Sequence, residues 1–160
     1  MPDVYLSIGS NIEPERYIPA ALKDLENAFG PMLLSSIYET EAVGFVGPAF
    51  HNLVVGFKSN LDPKVIAETL RHIESCHGRS RDSQKFSSRT LDLDLILYGQ
   101  EIIREGLVNV PREEITKYAF VLKPLAEIAG SLKHPEAGRS YSELWNAFTS
   151  DQNITRIPLT

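Results

Sequence analysis

The chain has 160 residues, of which 42% are hydrophobic and 23% charged, and its formal net charge is −5. This length suits one domain with one core, and the negative charge argues against a general affinity for nucleic acid or for an anionic membrane surface. Cys76 has no second cysteine to pair with, and the chain shows neither a signal-peptide pattern nor a long apolar run, so we expect a single domain over residues 1–160 that acts as a cytoplasmic monomer.

The first part of the chain predicts a strand, a helix and two further strands. "VYLSIG" is a short apolar run that ends in turn residues. Residues 18–29 then repeat apolar side chains at the three- and four-residue spacing of a helix, which Gly30 and Pro31 end. "MLLSSIYET" and "HNLVVGFKS" have the composition of strands, and the residues between them form a loop. The predicted strands cover residues 4–9, 32–40 and 51–59.

The second part predicts a helix and a strand, followed by helical additions. Asp62 is placed to cap a helix whose first position is Pro63, and the apolar stripe of this helix ends before Gly78. "TLDLDLILYG" is the next strand, and "AFVLKPLAEIAG" and "SYSELWNAF" predict further helices. The order strand, helix, strand, strand, helix, strand is that of the split βαβ arrangement. We therefore predict an α+β fold with both helices on one face of a mainly antiparallel sheet.

The stretch "SSRTLDLDLILYG" contains two acidic residues in what is otherwise a core strand. Strict alternation predicts all four leucines, from Leu91 to Leu97, on one face of the sheet and both Asp92 and Asp94 on the other. Two carboxylates on one face repel each other and are poor strand formers. Two explanations account for their presence: that face of an antiparallel sheet is solvated, or a ligand needs the two carboxylates.

A basic segment directly before this strand favours a ligand. It carries four cations within eleven positions, at Arg79, Arg81, Lys85 and Arg89. Mg²⁺ is usually held by one or two carboxylates together with substrate phosphates, and Arg and Lys neutralise the remaining phosphate charge. A magnesium–nucleotide site and a simple cluster of salt bridges are both consistent with this pattern.

Polar and aromatic groups also cluster between the second and third predicted strands. Thr40, the backbone around Val43, and Asn52 offer hydrogen-bonding groups, while Phe45 and Phe50 offer flat apolar faces. A planar heterocycle requires this combination of stacking and edge recognition. The alternative is that Phe50 is a core residue and Asn52 a turn residue.

Several motifs occur in one order along the chain: "IGSN", "YET" before a glycine loop, "N" opening a strand, "IE…GR.R", "SRTLDLDLILYG", "VP" and "FVLKPLAEIAG". In this order they resemble the 6-hydroxymethyl-7,8-dihydropterin pyrophosphokinases, enzymes of folate synthesis. The resemblance extends from about Val4 to about Phe148 and is most specific in "RTLDLDLILYG". It implies a ferredoxin-like α+β sandwich, and it implies transfer of diphosphate from ATP to the hydroxymethyl group of the dihydropterin, with release of AMP.

The resemblance also assigns residues to ATP. It implies that Asp92 and Asp94 bind two Mg²⁺ ions that bridge the ATP phosphates, and that Arg81 and Arg89 act on phosphate during transfer. The other residues that it places at ATP are Glu74, Arg79, Lys85, Phe86 and Arg112.

For the pterin, the resemblance implies an aromatic clamp with hydrogen bonds around the ring edge. Phe50 and Phe120 match the two rings that sandwich the heterocycle. Asn52 matches the amide that contacts its edge, and Thr40 and Val43 match backbone contacts to the same ring.

Three positions depart from the family pattern. Arg112 follows "VP" where the family usually has His, Tyr118 stands where it usually has Arg, and Phe86 replaces a frequent Trp. We expect Arg112 and Lys117 to supply the positive charge that these changes remove from the ATP site.

Two rival functions share some of these features. A glycosyltransferase with a D-x-D motif also binds a metal and a nucleotide diphosphate, but such folds generally need a larger parallel domain. A binding module for pterin or nucleotide without catalytic activity would fit the changes at Arg112 and Tyr118. The presence of Asp92 and Asp94 together with the basic segment favours the enzyme.

Overall fold

A computed structural model of the chain describes residues 1–41, 48–78, 90–149 and 154–157. The elements in chain order are β1 (Asp3–Ser10), α1 (Pro14–Phe29), β2 (Leu33–Leu34), β3 (Ile37–Thr40), β4 (Phe50–Lys58), α2 (Pro63–Cys76), β5 (Asp92–Tyr98), β6 (Ile103–Glu105), β7 (Val108–Val110), α3 (Glu114–Lys117), α4 (Ala119–Ala129), α5 (Tyr141–Ala147) and β8 (Ile154–Ile157). No helix within the described ranges is both long enough and apolar enough to span a membrane.

The main sheet has the strand order β5-β1-β4-β3-β8, with β2 also paired to β4, and its neighbouring strands are antiparallel. α1 and α2 cover one face, where Leu6 and Ile8 of β1 pack with Ile18 and Ile66. α3, α4 and α5 cover part of the other face, where Tyr5 belongs to a second apolar cluster. The predicted α+β sandwich with helical additions is confirmed.

Two element boundaries differ from the sequence-based expectation. α1 begins at Pro14 rather than Ile18, because Pro14 suits the first turn, where its missing N–H needs no partner. The strand predicted over residues 32–40 is interrupted at Ser35 and Ser36. The Ser35 hydroxyl donates to the carbonyl of Ser36 and accepts from the N–H of Val54, and these side-chain bonds replace the regular ladder there.

β5 keeps the predicted alternation only as far as Leu95. Leu95 packs on the side of α1 and α2, whereas Ile96 and Leu97 both belong to the cluster formed with α3, α4 and α5. The register against β1 shifts between Tyr5 and Leu6, so that Leu95 lies opposite Leu6 and Leu97 opposite Tyr5. The prediction that all four leucines share one face is therefore wrong for Leu97, because a bulge at Ile96 inserts one residue into the alternation.

Glu127 attaches α4 to the strand region beside it. Its carboxylate accepts hydrogen bonds from the backbone N–H and the hydroxyl of Ser36, at 3.0 and 2.8 Å, and from the hydroxyl of Tyr38, at 2.8 Å. Burial alone would raise the pKa of Glu127, but these hydrogen bonds outweigh it and lower the pKa. They hold α4, which carries Phe120 in its first turn, against the strand that ends at Thr40.

We expect Glu127→Ala to lower the free energy of unfolding by about 2 kcal/mol, because buried donors on Ser36 and Tyr38 lose a charged acceptor. Urea unfolding at neutral pH measures the change. Glu68→Ala, at an exposed position of α2, controls for the change in helix propensity and should leave stability within about 0.5 kcal/mol.

The difference in stability between wild type and Glu127→Ala should also depend on pH. Because the pKa of Glu127 is lowered by folding, its contribution is present above the pKa of an unfolded glutamate and disappears as the pH falls through the folded value. The difference in stability between wild type and Glu127→Ala should therefore shrink below about pH 4. A difference that stays constant from neutral to acidic pH would contradict this account.

Candidate active site

Asp92 and Asp94 lie on β5 with half-buried side chains on the face opposite Leu93 and Leu95. The prediction that the two carboxylates share a face is confirmed. Burial and the neighbouring charge of Asp92 raise the pKa of Asp94 to about 7, against the opposing positive charge of Arg112. The carboxylates therefore repel each other, and a cation bound between them would relieve that repulsion.

Glu74 lies at the outer edge of β5. Its side chain is buried, and its Oε2 accepts a hydrogen bond of 2.8 Å from the N–H of Leu93, the residue between the two aspartates. β5 is an edge strand of the described sheet, so this bond satisfies an N–H that no neighbouring strand there can reach. Glu74 thus holds the backbone that carries Asp92 and Asp94. Its contact with ATP stays a prediction.

Arg112 is anchored beside β5 at Ile96, two residues along the strand from Asp94. Its Nε and Nη2 both donate to Oε2 of Glu114, at 3.0 and 2.6 Å, and its backbone N–H donates to the carbonyl of Ile96 at 3.1 Å. Burial alone would lower the pKa of Arg112, but the carboxylates of Asp94 and Glu114 raise it. The positively charged side chain of Arg112 is therefore held beside the acidic pair by Glu114. Arg112 stands at the position where the resemblance leads us to expect His.

A row of residues across the sheet connects the acidic pair to the predicted heterocycle site. Asp92 in β5 lies opposite Gly9 in β1, and Gly9 lies opposite Asn52 in β4. Asn52 in turn lies opposite Tyr38 in β3. Residues directly opposite each other share a face, and two strand spacings separate Asp92 from Asn52 by about 10 Å. Because Gly9 has no side chain, the amide of Asn52 can lie against its backbone.

Asn52 has a hydrogen-bonding group to offer. Its side chain is buried, and Nδ2 has no hydrogen-bond partner among the described residues. A Cβ on Gly9 would lie 2.9 Å from Oδ1 of Asn52 and 3.9 Å from the ring of Phe50, so a larger residue at position 9 would push this amide aside. Phe50 is half-buried and lies opposite Thr40, two residue pairs further along β4. A buried unpaired donor costs free energy that a bound acceptor would recover.

Phe120 is part of an aromatic stack at the start of α4. Its ring lies 5.0 Å from that of Tyr118, with 15° between the planes, and Nζ of Lys117 lies 5.6 Å from the centre of the Tyr118 ring. Tyr118 is thus stacked on one ring of the predicted pterin clamp, and Lys117 lies over Tyr118. Stacking of this kind restricts the orientation of the Phe120 ring.

Six predicted site residues lie outside the described part of the chain: Val43, Arg79, Arg81, Lys85, Phe86 and Arg89. The residues that flank residues 79–89 are described. The Thr90 hydroxyl donates to the carbonyl of His77 at 2.8 Å, and the His77 ring contacts the carboxylate of Asp24 at 2.8 Å. These contacts hold His77 and Thr90 close together at the end of β5 where Asp92 begins the strand.

Gly9 and Glu114 contribute to the site but were not identified from the sequence. Gly9 lies in "IGSN", yet its role depends on standing between Asp92 and Asn52, which requires the register of three strands. Glu114 follows Arg112 by two residues, and this spacing alone does not distinguish an ion pair from two solvated charges.

Among the residues that the structure describes, the acidic pair offers two carboxylates as oxygen donors. Within the described ranges, no group of three or more His, Cys, Asp and Glu side chains could hold a metal ion. Mg²⁺ takes six oxygen ligands, so an ion at Asp92 and Asp94 would need further oxygens from phosphates or water.

Several known proteins similar to this chain share one name. A family model described as 7,8-dihydro-6-hydroxymethylpterin-pyrophosphokinase (HPPK) matches residues 5–130. A 2-amino-4-hydroxy-6-hydroxymethyldihydropteridine pyrophosphokinase from Pseudomonas aeruginosa is 36% identical over 159 residues, covering 97% of this chain and 96% of the relative. Relatives of the same name are 33% identical in Haemophilus influenzae, over 99% of this chain and 100% of the relative, and 38% identical in Bacillus subtilis, over 78% and 76%.

Solved structures share the fold. An HPPK-DHPS chain crystallised in complex with substrates superposes with a TM-score of 0.74 at 13% identity. A Plasmodium falciparum HPPK-DHPS chain with pterin and p-hydroxybenzoate superposes with a TM-score of 0.71 at 13% identity. Each match covers 91% of this chain but only 43% of the solved chain, so this chain corresponds to less than half the length of those proteins.

Proposed function

Because the chain belongs to the 7,8-dihydro-6-hydroxymethylpterin-pyrophosphokinase family, we propose that it transfers diphosphate from ATP to the hydroxymethyl group of 6-hydroxymethyl-7,8-dihydropterin, a step of folate biosynthesis. The observation that carries this function is the row across the sheet, in which Asp92 and the buried amide of Asn52 lie on one face about 10 Å apart. The acidic end suits a cation with phosphates, and the amide end suits a heterocycle.

In this reaction the hydroxymethyl oxygen attacks the β-phosphorus of ATP. The bond from that phosphorus to the oxygen of AMP breaks, AMP leaves with the electron pair, and the proton of the hydroxymethyl group is released to solvent. Such a transfer needs alignment of the two oxygens and neutralisation of charge more than covalent help from the protein. A fixed distance between the phosphate end and the pterin end of one rigid sheet supplies the alignment.

We propose that Asp92 and Asp94 bind Mg²⁺, with two ions present when ATP is bound. The repulsion that raises the pKa of Asp94 supports this assignment, because a bound cation would relieve it. When bound, Mg²⁺ would neutralise and orient the phosphates. Glu74 holds the strand backbone between the two ligands in place.

At the pterin end, we propose that Asn52 offers to the edge of the ring its Nδ2, which has no hydrogen-bond partner in the part of the chain that the structure describes. We propose that Phe50 and Phe120 sandwich the heterocycle and that the backbones of Thr40 and Val43 contact its edge. The stack of Tyr118 on Phe120 supports this role, because one clamp ring is already restricted.

At the phosphate end, we propose that arginines stabilise the charge transferred between the substrates, with Arg81 and Arg89 acting during the transfer itself. The remaining ATP contacts in this proposal are Glu74, Arg79, Lys85, Phe86 and Arg112. The chain is proposed to act in the cytoplasm as one domain and as a monomer, with ATP and the dihydropterin as partners and without nucleic acid or a membrane.

One assay tests the function. The protein is incubated with ATP, Mg²⁺ and 6-hydroxymethyl-7,8-dihydropterin, and we expect AMP and the pterin diphosphate in equal amounts. Reactions without Mg²⁺ and with EDTA should give neither product. Pterin binding without any AMP would indicate a binding module instead, and release of ADP instead of AMP would exclude diphosphate transfer.

A further inference from the structure

Tyr118 lies at the junction of two helices, between the end of α3 at Lys117 and the start of α4 at Ala119. Its backbone N–H donates to the carbonyl of Glu114 at 3.0 Å, and its own carbonyl accepts from the N–H of Val121 at 3.2 Å. The first bond belongs to α3 and the second to α4. The direction in which the side chain of Tyr118 leaves the backbone is therefore set by both helices.

The ring of Tyr118 is stacked on the ring of Phe120. The ring centroids are 5.0 Å apart, and 15° separates the planes. Both side chains are half-buried and pack against the apolar cluster formed with α3, α4 and α5. A flat ring has two faces, and Tyr118 covers one face of Phe120. A heterocycle that stacks on Phe120 must therefore use the other face.

A ring without such support would have to be ordered when its ligand binds. A phenylalanine side chain has several staggered rotamers, and immobilising a side chain on binding costs affinity. A second ring stacked on Phe120 restricts it before the ligand arrives, because aromatic pairs favour particular orientations. Position 118 is where the resemblance leads us to expect Arg, which would add positive charge for phosphate. The neutral ring of Tyr118 adds none, so its effect should lie on the aromatic clamp.

We propose that Tyr118 is a positioning residue for the pterin, because it holds the Phe120 ring in the orientation in which that ring stacks on the heterocycle. The inference rests on the proposed function, in which Phe120 forms one side of the pterin clamp, and deepens it. The residue at position 118 then sets the affinity for the pterin rather than for ATP. This role needs the aromatic ring of Tyr118 but does not need its hydroxyl group.

The experiment compares Tyr118→Leu, which keeps an apolar side chain but removes the ring, with Tyr118→Phe, which keeps the ring. We expect Tyr118→Leu to weaken binding of the dihydropterin about fivefold in a fluorescence titration. The KM for the dihydropterin should rise to a similar extent, while the KM for ATP stays unchanged. Tyr118→Phe should bind as wild type does. Tyr118→Met, a second variant without a ring, should behave like Tyr118→Leu, and circular dichroism reports whether each variant is folded.

A double variant tests whether Tyr118 acts through Phe120. In a protein that already carries Phe120→Leu, adding Tyr118→Leu should not weaken pterin binding further. Tyr17→Leu is the matched control, because Tyr17 is also half-buried and also contacts a second ring, that of His77, with centroids 6.0 Å apart. Tyr17 lies in α1, which covers the opposite face of the sheet, so pterin affinity should stay unchanged.

Wild-type pterin affinity in Tyr118→Leu and Tyr118→Met would overturn the inference. A raised KM for ATP alone would place residue 118 at the nucleotide, and an equal loss of pterin affinity in Tyr17→Leu would show an unspecific effect; either result would also overturn it. A further loss in the double variant would show that Tyr118 contacts the pterin directly, against the proposed role. Diphosphate transfer by the wild-type protein is assayed separately: its absence would remove the proposed function, whereas transfer with an affinity that does not depend on residue 118 would remove only this inference.

Discussion

Replacing Asp94 by asparagine is expected to lower the rate of diphosphate transfer on the order of 10³-fold, because a metal ligand that contributes several kcal/mol is lost. The same change should raise the stability of the protein without ligands by about 1 kcal/mol, because a half-buried charge next to Asp92 and Glu74 is removed. Initial rates of AMP formation and urea unfolding at pH 8 measure the two effects. Asp92→Asn should reduce the rate to a similar extent.

Asp3→Asn is the matched control for both measurements. Asp3 is on β1, and its partly exposed carboxylate pairs with Lys58 at 3.2 Å, at the opposite end of the strand from Gly9. We expect little change in rate or stability. Wild-type turnover in Asp94→Asn would show that Asp94 is not a metal ligand, and a loss of stability would show that the repulsion at the acidic pair is not significant.

Replacing Asn52 by alanine is expected to weaken binding of the dihydropterin about 100-fold, because the ligand would lose its hydrogen-bonding partner in a buried position. Gly9→Ala should weaken pterin binding about tenfold. The new Cβ would lie 2.9 Å from the amide oxygen of Asn52 and would displace the amide. Fluorescence titration with the pterin measures both affinities. The affinity for an ATP analogue should change much less, because the phosphate end of the row keeps its side chains.

A double variant tests whether the two residues act together. If Gly9 matters only because it leaves room for the amide, Gly9→Ala/Asn52→Ala should bind the pterin no more weakly than Asn52→Ala. Asn109→Ala, at an exposed position in β7, is the control for loss of a strand asparagine. Additive losses in the double variant would mean that Gly9 contributes in another way, and unchanged affinity in Asn52→Ala would remove the amide from the pterin site.

Local patterns in the sequence were sufficient for the fold class and for the shared face of the two aspartates. Asp62 and Pro63 open α2 as expected, since capping depends on neighbours in the chain. Alternation placed Asp92 and Asp94 together because that part of β5 is regular. The resemblance to a family added the expected roles, which local patterns leave open.

The features that sequence could not supply depend on pairing between distant segments. The bulge that moves Leu97 to the other face arises from the register of β5 against β1. β8, which was not predicted, is a four-residue strand whose pairing with β3 is the main reason it is extended. The interruption at Ser36 likewise involves an acid that lies 91 residues away in sequence, Glu127.

The regular half of β5 also has a consequence for how the chain selects its strand register. Side chains alternate with a period of two, so a slip of β5 by one residue against β1 would turn Asp92 and Asp94 toward the apolar layer under α1 and α2. Burying two carboxylates there without partners would cost several kcal/mol, and the leucines that now fill that layer would be exposed instead. The residues proposed to hold the metal therefore also penalise the nearest misfolded pairing. A variant in which both aspartates are replaced by neutral residues would lose activity. It would also have a smaller energy difference between the native register of β5 and the register shifted by one residue.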